Sequence, residues 1–388
     1  MNQVFVKADL VVYGKIFTAD EKPMAEAFAV KDGKFVYVGD KKGADAYIEA
    51  GKTEIVDYTG KGLVMPTCGN GHAHYSIGVA LPIVGTVAIG ADPEKFLKEL
   101  VPGAVKKARE TGATSIFGFG WNPIVFQEKM PTRQQLDAIC SDIPIYFADE
   151  EGHKGLANTL MLVKAGIMTA DGKVLKKDKD IRGGEIVMGE DGTPTGFLKE
   201  QAGTYTRSFL DTEKLYPVDV AKVVVQKTQE HLLAEGYTMY IDGWGNYFFN
   251  NNFFKAAQQM DQAGKMNFVL GLTYEVESWM NVEEKLKKAV DVQKYASARV
   301  KTNWLKLFRL PAGRHQRRRN HFFVSGTWKS RGSGHHVRRL FPGPGICAVG
   351  FRHLYADQPD CGYFLQLCGS PHAVEEVSVW IRRQRTSF

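Results

Sequence analysis

The stretch that decides the expected fold reads Pro66-Thr67-Cys68-Gly69-Asn70-Gly71-His72-Ala73-His74-Tyr75. It follows an apolar run, Gly62-Leu63-Val64-Met65, which is typical of a short buried strand. The glycines after this run predict that the strand ends and a loop begins. Residues two apart on an extended backbone point to the same face, so His72 and His74 would direct two imidazoles toward one point. Neutral imidazole is a common zinc ligand, although the spacing alone also fits two polar residues in a glycine-rich turn.

Residues 1–65, on the amino-terminal side of this stretch, predict a small β unit. Val11-Val12-Tyr13 and Phe35-Val36-Tyr37-Val38 are rich in the β-branched and aromatic residues that favour strands. Asp32-Gly33 stands between two such runs, and this dipeptide is typical of a tight β-hairpin.

Residues 66–308, on the carboxyl-terminal side, alternate between apolar runs and helical segments. With the run before residue 66 included, strands are expected at 63–65, 114–119, 143–148, 237–241, 268–272 and 304–308. Helices are expected at 92–110, 133–139, 218–234, 253–263 and 282–295. This alternation indicates parallel βα units, which predicts an α/β fold with a TIM-type (β/α) barrel whose chemistry lies at the carboxyl ends of its strands. Near residues 170–200 the pattern breaks into a charged loop and a hairpin insert.

The motifs of residues 1–308 resemble those of the amidohydrolase superfamily, in particular the YtcJ-like and N-substituted formamide deformylase-like branch. The matching words are Ala8-Asp9-Leu10-Val11-Val12-Tyr13-Gly14-Lys15-Ile16, Ala27-Phe28-Ala29-Val30-Lys31-Asp32-Gly33-Lys34-Phe35-Val36-Tyr37-Val38-Gly39 and Val56-Asp57-Tyr58-Thr59-Gly60-Lys61-Gly62-Leu63-Val64-Met65-Pro66. In that family the strand usually ends Pro-Gly-Phe-hydrophobic-Asp-X-His-X-His. Here Thr67 stands at the usual glycine and Asn70 at the usual Asp, while the histidine pair is intact.

The resemblance implies a fold and a chemistry. Residues 1–65 would form the first part of a urease-like β-sandwich beside the barrel. The site would hold up to two divalent metal ions, usually zinc, and hydrolyse a C–N bond of an amide, formamide or related small molecule with a metal-activated water and an Asp base. Lys306, in Trp304-Leu305-Lys306-Leu307-Phe308, matches the family's lysine, which is thought to be carbamylated and to bridge the metals. The alternative is a strand lysine that faces solvent at a sheet edge.

Four further residues match the resemblance or end predicted strands. By that match Trp121 and His153 would line the substrate pocket, or instead serve as a core-packing Trp and a helix-start His. Glu200, in Gly196-Phe197-Leu198-Lys199-Glu200, would order the pocket or form a salt bridge at a helix start. Asp242 would support the site from behind or form a plain turn.

Residues 309–388 differ sharply from the rest of the chain. Residues 1–308 carry 32 Lys and 5 Arg against 39 Asp+Glu, a net charge of −2, whereas residues 309–388 carry 1 Lys and 12 Arg against 4 Asp+Glu, a net charge of +9. The family's Asp-Gly is expected after Phe308, but the chain reads Arg309-Leu310, and the family's remaining His ligands and Asp base have no match. We therefore expect an incomplete barrel with impaired activity, and hypothesise that residues 309–388 come from a shifted reading frame or a degraded 3′ end.

Residues 309–388 allow three other interpretations. The basic stretch Arg314-His315-Gln316-Arg317-Arg318-Arg319 has the charge of a nucleic-acid contact, but no folded module surrounds it. Cys347, Cys361 and Cys368 lack the Cys-X2–4-Cys spacing of a zinc site. The segment could also be a genuine appendage. For the whole chain, the alternative to a hydrolase is a non-catalytic barrel fragment or binding protein with a basic tail for an acidic partner.

The overall composition excludes several classes of protein. The chain of 388 residues has no run of 18 apolar residues, so no membrane span is expected. The amino terminus lacks a long apolar signal core, and five irregularly spaced cysteines do not form a disulfide framework. The sequence therefore predicts a cytoplasmic protein with a small-molecule substrate, and leaves a homo-oligomer open.

Overall fold

The computed structural model describes residues 6–307 except Glu128 and Ser278, and four short strands further along the chain, at 322–323, 346–347, 350–351 and 363–367. The chain divides into two compact units, Met1–Gly69 and Asn70–Phe388. None of the described helices combines the length and the apolar character that crossing a bilayer requires.

The first unit is a five-stranded sheet with one short helix. Its elements are β1 (Leu10–Phe17), β2 (Met24–Lys31), β3 (Lys34–Gly39), α1 (Lys41–Asp45), β4 (Glu54–Asp57) and β5 (Leu63–Val64). The strand order is β3-β2-β1-β4, and β5 pairs with β1. Asp32 and Gly33 both adopt positive φ, 50° and 71°, and join β2 to β3, which confirms the predicted hairpin.

The expected buried strand before His72 is corrected by the structure. Leu63–Val64 is only two residues long, pairs with β1, and leaves Leu63 50% exposed. A separate strand, β6 (Cys68–Ala73), holds His72. The prediction that Gly69 and Gly71 open a loop is therefore wrong. Pairing of β6 with a later strand overrides the low strand propensity of glycine.

The second unit contains two six-stranded sheets. The first has the order β11-β12-β10-β9-β8-β7. Its strands are β7 (Thr86–Val87), β8 (Ile116–Trp121), β9 (Ile145–Asp149), β10 (Lys154–Ala157), β11 (Gly184–Met188) and β12 (Pro194–Glu200). Strands β7, β8 and β9 are parallel, and the antiparallel pair β11–β12 confirms the predicted hairpin insert.

The second sheet positions the candidate site. Its order is β17-β19-β15-β14-β13-β6. The later strands are β13 (Tyr237–Asp242), β14 (Val269–Val276), β15 (Val300–Leu307), β16 (Phe322–Phe323), β17 (Ile346–Cys347), β18 (Gly350–Phe351) and β19 (Tyr363–Leu367). Strands β13, β14 and β15 are parallel, β19 is antiparallel to β15, and β16 pairs only with β18. The fold is thus mixed α/β. The described strands form separate sheets without a closed ring, so the TIM-type barrel, expected to be incomplete, stays a prediction.

The five helical segments predicted from the sequence are found in the second unit, whose described part contains four further α-helices that were not predicted. The helices of this unit are α2 (Tyr75–Val84), α3 (Pro93–Lys95), α4 (Val101–Thr111), α5 (Arg133–Ile139), α6 (Thr159–Lys164), α7 (Gln201–Arg207), α8 (Thr212–Leu215), α9 (Val218–Ala234), α10 (Asn252–Gln262) and α11 (Val282–Asp291). A π-helical turn, Phe96–Leu100, joins α3 to α4, and 3₁₀ turns occupy Asp178–Asp180 and Val292–Tyr295. Helix α9 buries Val224, Thr228 and Leu232, as their three- and four-residue spacing predicts. Val223, which the same spacing places on the buried face, is instead 45% exposed.

Candidate metal centre

The two histidines of the His-X-His motif lie side by side. Strand β6 carries His72, whose backbone N–H donates to Asn70 Oδ1 at 3.0 Å, and His74 is the residue before α2. Their ring centroids are 5.0 Å apart and the rings are nearly perpendicular, at 84°. The motif therefore brings two imidazoles together, as the sequence predicts.

Gly243 provides the space in which these rings lie. A Cβ atom at this position would stand 2.7 Å from His72 Nδ1 and 2.8 Å from His74 Cε1, closer than side chains tolerate. The Gly243 N–H donates to Ala73 O at 2.9 Å, which fixes the turn after β13 against β6. A glycine is thus required at position 243 because the two imidazole rings approach its Cα closely, and not because of its φ angle.

Asp242 connects the strand and the helix that flank the histidine pair. It is fully buried and accepts hydrogen bonds from the Ser76 hydroxyl, from Tyr240 OH at 2.9 Å and from the Trp244 N–H at 2.8 Å. Burial raises the pKa of its carboxyl, while the bonds from Ser76, Trp244 and Tyr240 oppose this. Asp242 supports the site from behind by joining the end of β13 to the start of α2.

Lys306 is buried in β15 and does not face solvent. It is 1% exposed, its Nζ lies 3.6 Å from Glu275 Oε1, and it lies 5.0 Å from the centroid of the Trp244 ring. The ring of His74 also contacts Trp244, at 6.2 Å between centroids. Lys306 and the histidine pair therefore lie around the same indole.

Three buried charged residues were missed from the sequence: Arg207, Glu275 and Glu277. Strand β14 was expected to end at residue 272 but continues to Val276, so that Glu275 lies within it and Glu277 directly follows. Burial raises the pKa of Glu277 to about 7, against the charges of Arg207 and Lys306. Burial, reinforced by the charge of Glu277, holds the pKa of Glu275 well above its usual range. Two glutamates two apart at a strand's carboxyl end were the signal that could have located them.

Trp121 lies in the core. It is fully buried, its indole N–H donates to Phe147 O at 2.9 Å, and its ring stacks on Phe126 with centroids 5.4 Å apart. The core-packing alternative accounts for these contacts.

His153 and Glu200 meet each other. His153 Nδ1 lies 2.9 Å from Glu200 Oε2, and their side chains are 22% and 60% exposed. Glu200 adopts a φ of 50° at the start of α7. Glu200 precedes α7, the helix that carries Arg207, so its place fits both a salt bridge at a helix start and a pocket position. His153 directly precedes β10, so the helix-start alternative for His153 is wrong.

The histidine pair has the spacing of two metal ligands, but the described residues do not complete a metal site. Two imidazoles that share a tetrahedral zinc ion at Zn–N distances of about 2.0–2.1 Å have ring centroids roughly 5 Å apart, and the observed separation is 5.0 Å. Among the described residues, no group of three or more His, Cys, Asp or Glu side chains is arranged to hold a metal. A third donor would therefore have to be Lys306 or a residue outside those described. The Asp and His residues after position 308 that have no strand context in the sequence lie outside the described residues: Asp357, Asp360, His335, His336, His353 and His372.

Comparisons with known proteins place these features in a family context. The profile of the amidohydrolase family matches residues 54–341, a range that includes residues 309–341, which the motif-based resemblance left out. The chain is 30% identical over 246 residues to "Protein LONG AFTER FAR-RED 3" of Arabidopsis thaliana, covering 63% of this chain and 39% of that protein. It is 26% identical over 270 residues to the N-substituted formamide deformylase of Arthrobacter pascens, covering 67% of this chain and 46% of that enzyme.

A solved structure also aligns with part of this chain. An uncharacterized metal-dependent hydrolase from Pyrococcus horikoshii aligns with 75% of this chain and 52% of its own, at 23% identity and a TM-score of 0.48. The chain thus spans less than half the length of either curated relative described above.

Proposed function

The chain belongs to the amidohydrolase family, and on this premise we propose that it is a metal-dependent hydrolase acting on a C–N bond of an amide, formamide or related small molecule. The observation that carries the proposal is the pair of imidazoles, His72 and His74, held 5.0 Å apart over Gly243. The relative named N-substituted formamide deformylase supports the reaction type.

His72, His74 and Lys306 are the proposed metal-holding residues, with zinc as the proposed ion. Such an ion, when bound, would polarise the scissile carbonyl and lower the pKa of a water molecule. Lys306 as an ammonium is no ligand, so its role depends on carbamylation, as the resemblance implies. A buried lysine between Glu275 and an indole is held where solvent does not compete.

The chain's own residues have definable tasks in this reaction. Asp242, bonded by Tyr240 and Ser76, holds the turn that carries Gly243 and Trp244. Trp244 excludes water between His74 and Lys306. His153 is proposed to contact the substrate, while Trp121 packs the core. The Asp base that the resemblance implies is expected after residue 308 and has no match there, so no general base is assigned, and impaired activity stays a prediction.

Metal content and hydrolysis test the proposal together. We expect the purified 388-residue protein to bind zinc, up to about two equivalents, and His72→Ala with His74→Ala to lose it. His231→Gln provides a matched control, because His231 stacks on Tyr75 and lies outside the pair. Absence of zinc from the wild-type protein, after incubation with zinc and bicarbonate, would contradict the proposal.

A second candidate function is a non-catalytic binding protein with a basic tail for an acidic partner. The net charge of +9 on residues 309–388 favours it. A metal-free protein that binds an acidic polymer only at low salt would support this alternative.

A further inference from the structure

A buried arginine beside the proposed metal centre leads to an inference about the substrate. Arg207 is the last residue of α7 and is 2% exposed. Its Nε, Nη1 and Nη2 atoms donate no hydrogen bond to any residue that the structure describes. A guanidinium stays charged and has five N–H donors, so burying it without acceptors is costly. This cost indicates that a ligand supplies the acceptors.

Three aromatic rings hold the guanidinium in place. Arg207 Cζ lies 4.0 Å from the ring centroid of Tyr247, 5.2 Å from that of Trp244 and 5.4 Å from that of Phe249. Such cation–π contacts stabilise the charge but use none of the N–H donors, because those donors lie in the guanidinium plane. The donor edge is therefore positioned before any ligand binds.

Trp244 connects this guanidinium to the proposed metal centre. The same indole contacts the ring of His74 at 6.2 Å and Lys306 Nζ at 5.0 Å. A group bound to Arg207 would consequently lie within the length of one small molecule from the histidine pair.

The neighbouring glutamates do not satisfy Arg207. The charge of Arg207 lowers the pKa of both Glu275 and Glu277. However, Arg207 donates a hydrogen bond to neither carboxylate, and the contact of Glu275 is with Lys306 at 3.6 Å. The donor edge of Arg207 is thus not consumed by an internal ion pair.

We propose that Arg207 determines specificity by binding a carboxylate of the substrate, which makes amides that carry a carboxylate group the substrate class. Two neighbouring N–H groups of a guanidinium can bind the two oxygens of a carboxylate in a bidentate manner, whereas a neutral amide offers one carbonyl oxygen. The assignment of a substrate class rests on the proposed hydrolase function, but carboxylate binding itself requires no turnover.

Calorimetric titration of the full chain tests the proposal. The protein is first treated with a chelator, so that no metal can bind the carboxylate. N-formylglycine is then compared with its neutral counterpart, N-formylglycinamide. We expect N-formylglycine to bind at least tenfold more tightly, and Arg207→Met to remove this preference. Arg207→Lys should keep a reduced preference, because it retains the charge but loses the bidentate geometry.

Arg109→Met is the matched control, since Arg109 pairs with Asp142 at the surface and should leave the preference unchanged. Equal affinity of the wild-type protein for the two ligands, or no binding of N-formylglycine at millimolar concentration, would overturn the proposal. So would a preference that persists in both Arg207 variants. Zinc content and hydrolysis are measured separately. A carboxylate preference without hydrolysis contradicts only the proposed function, and hydrolysis without the preference contradicts only the role of Arg207.

Discussion

Lys306 and Glu275 form a buried ion pair across neighbouring parallel strands. The Nζ–Oε1 distance is 3.6 Å, and the two side chains are 2% and 1% exposed. The pair joins β14 to β15 in the register that sets Glu275 opposite Lys306. Neither charge can turn to water, so each depends on the other and on the polar groups around it.

Removal of one partner of this pair should therefore lower the free energy of unfolding. We expect Lys306→Met to lower the free energy of unfolding by about 3–5 kcal/mol at a pH high enough to ionise Glu275, because the variant leaves that carboxylate buried without its cation. At lower pH, where its raised pKa keeps Glu275 protonated, the loss should be smaller. The double variant Lys306→Met with Glu275→Gln should regain part of this loss. Urea denaturation of metal-free protein measures both effects. Lys199→Met is the control, since Lys199 pairs with Glu185 at the surface and its loss should cost about 0–1 kcal/mol. Equal effects of the two single variants would contradict the buried pair.

Substitution of Gly243 should disturb the histidine pair directly. In Gly243→Ala the new methyl group would meet both imidazoles, so we expect zinc binding to fall at least tenfold. Gly71→Ala is the matched control, because a Cβ at Gly71 meets nothing within 4 Å. Metal analysis after dialysis against a fixed free zinc concentration distinguishes the two variants. Unchanged zinc binding by Gly243→Ala would show that the rings do not converge over this glycine.

The pKa of Glu277 predicts a dependence of stability on pH. Its pKa is raised from 4.5 to about 7 in the folded state, so between these values the folded protein holds a proton that the unfolded chain has lost. Below pH 4.5 the raised pKa of Glu277 adds about 3 kcal/mol to the free energy of unfolding, and this contribution is lost as the pH rises toward 7. We expect Glu277→Gln to reduce this slope in metal-free protein, as measured by urea denaturation at several pH values. Glu185→Gln, at an exposed ion pair, should leave the slope unchanged, and an unchanged slope in Glu277→Gln would refute the shift.

The sequence predicts elements well where local signals agree with packing. Helix α9 begins after Pro217 and ends at Ala234, as its pattern indicates. Helix α5 has a capping box formed by Thr132 and Gln135, a signal encoded within four residues. The pairing of His72 with His74 was likewise local, because two-residue spacing decides it.

The missed features depend on residues far apart in the sequence. Strand β6 contains two glycines, and only its pairing with β13 makes it a strand. The strand predicted to end at residue 272 continues to Val276, and Glu275 within it is buried beside Lys306, a residue 31 positions further along the chain. Aromatic packing around Arg207 involves Trp244, Tyr247 and Phe249, whose spacing follows no helix or strand period.

Trp121 offers a test that separates core packing from substrate binding. Trp121→Phe keeps an aromatic ring but removes the hydrogen bond to Phe147 O, so we expect a loss of about 1 kcal/mol in stability and an unchanged KM. Trp121→Ala should cost about 3–5 kcal/mol, because it leaves a cavity beside Phe126. His153→Gln is the contrasting variant: its side chain is partly exposed, so it should alter KM with little change in stability. Urea denaturation and steady-state kinetics on one amide substrate provide both readouts. A raised KM in Trp121→Phe would contradict a purely core-packing role and indicate that Trp121 contacts the substrate.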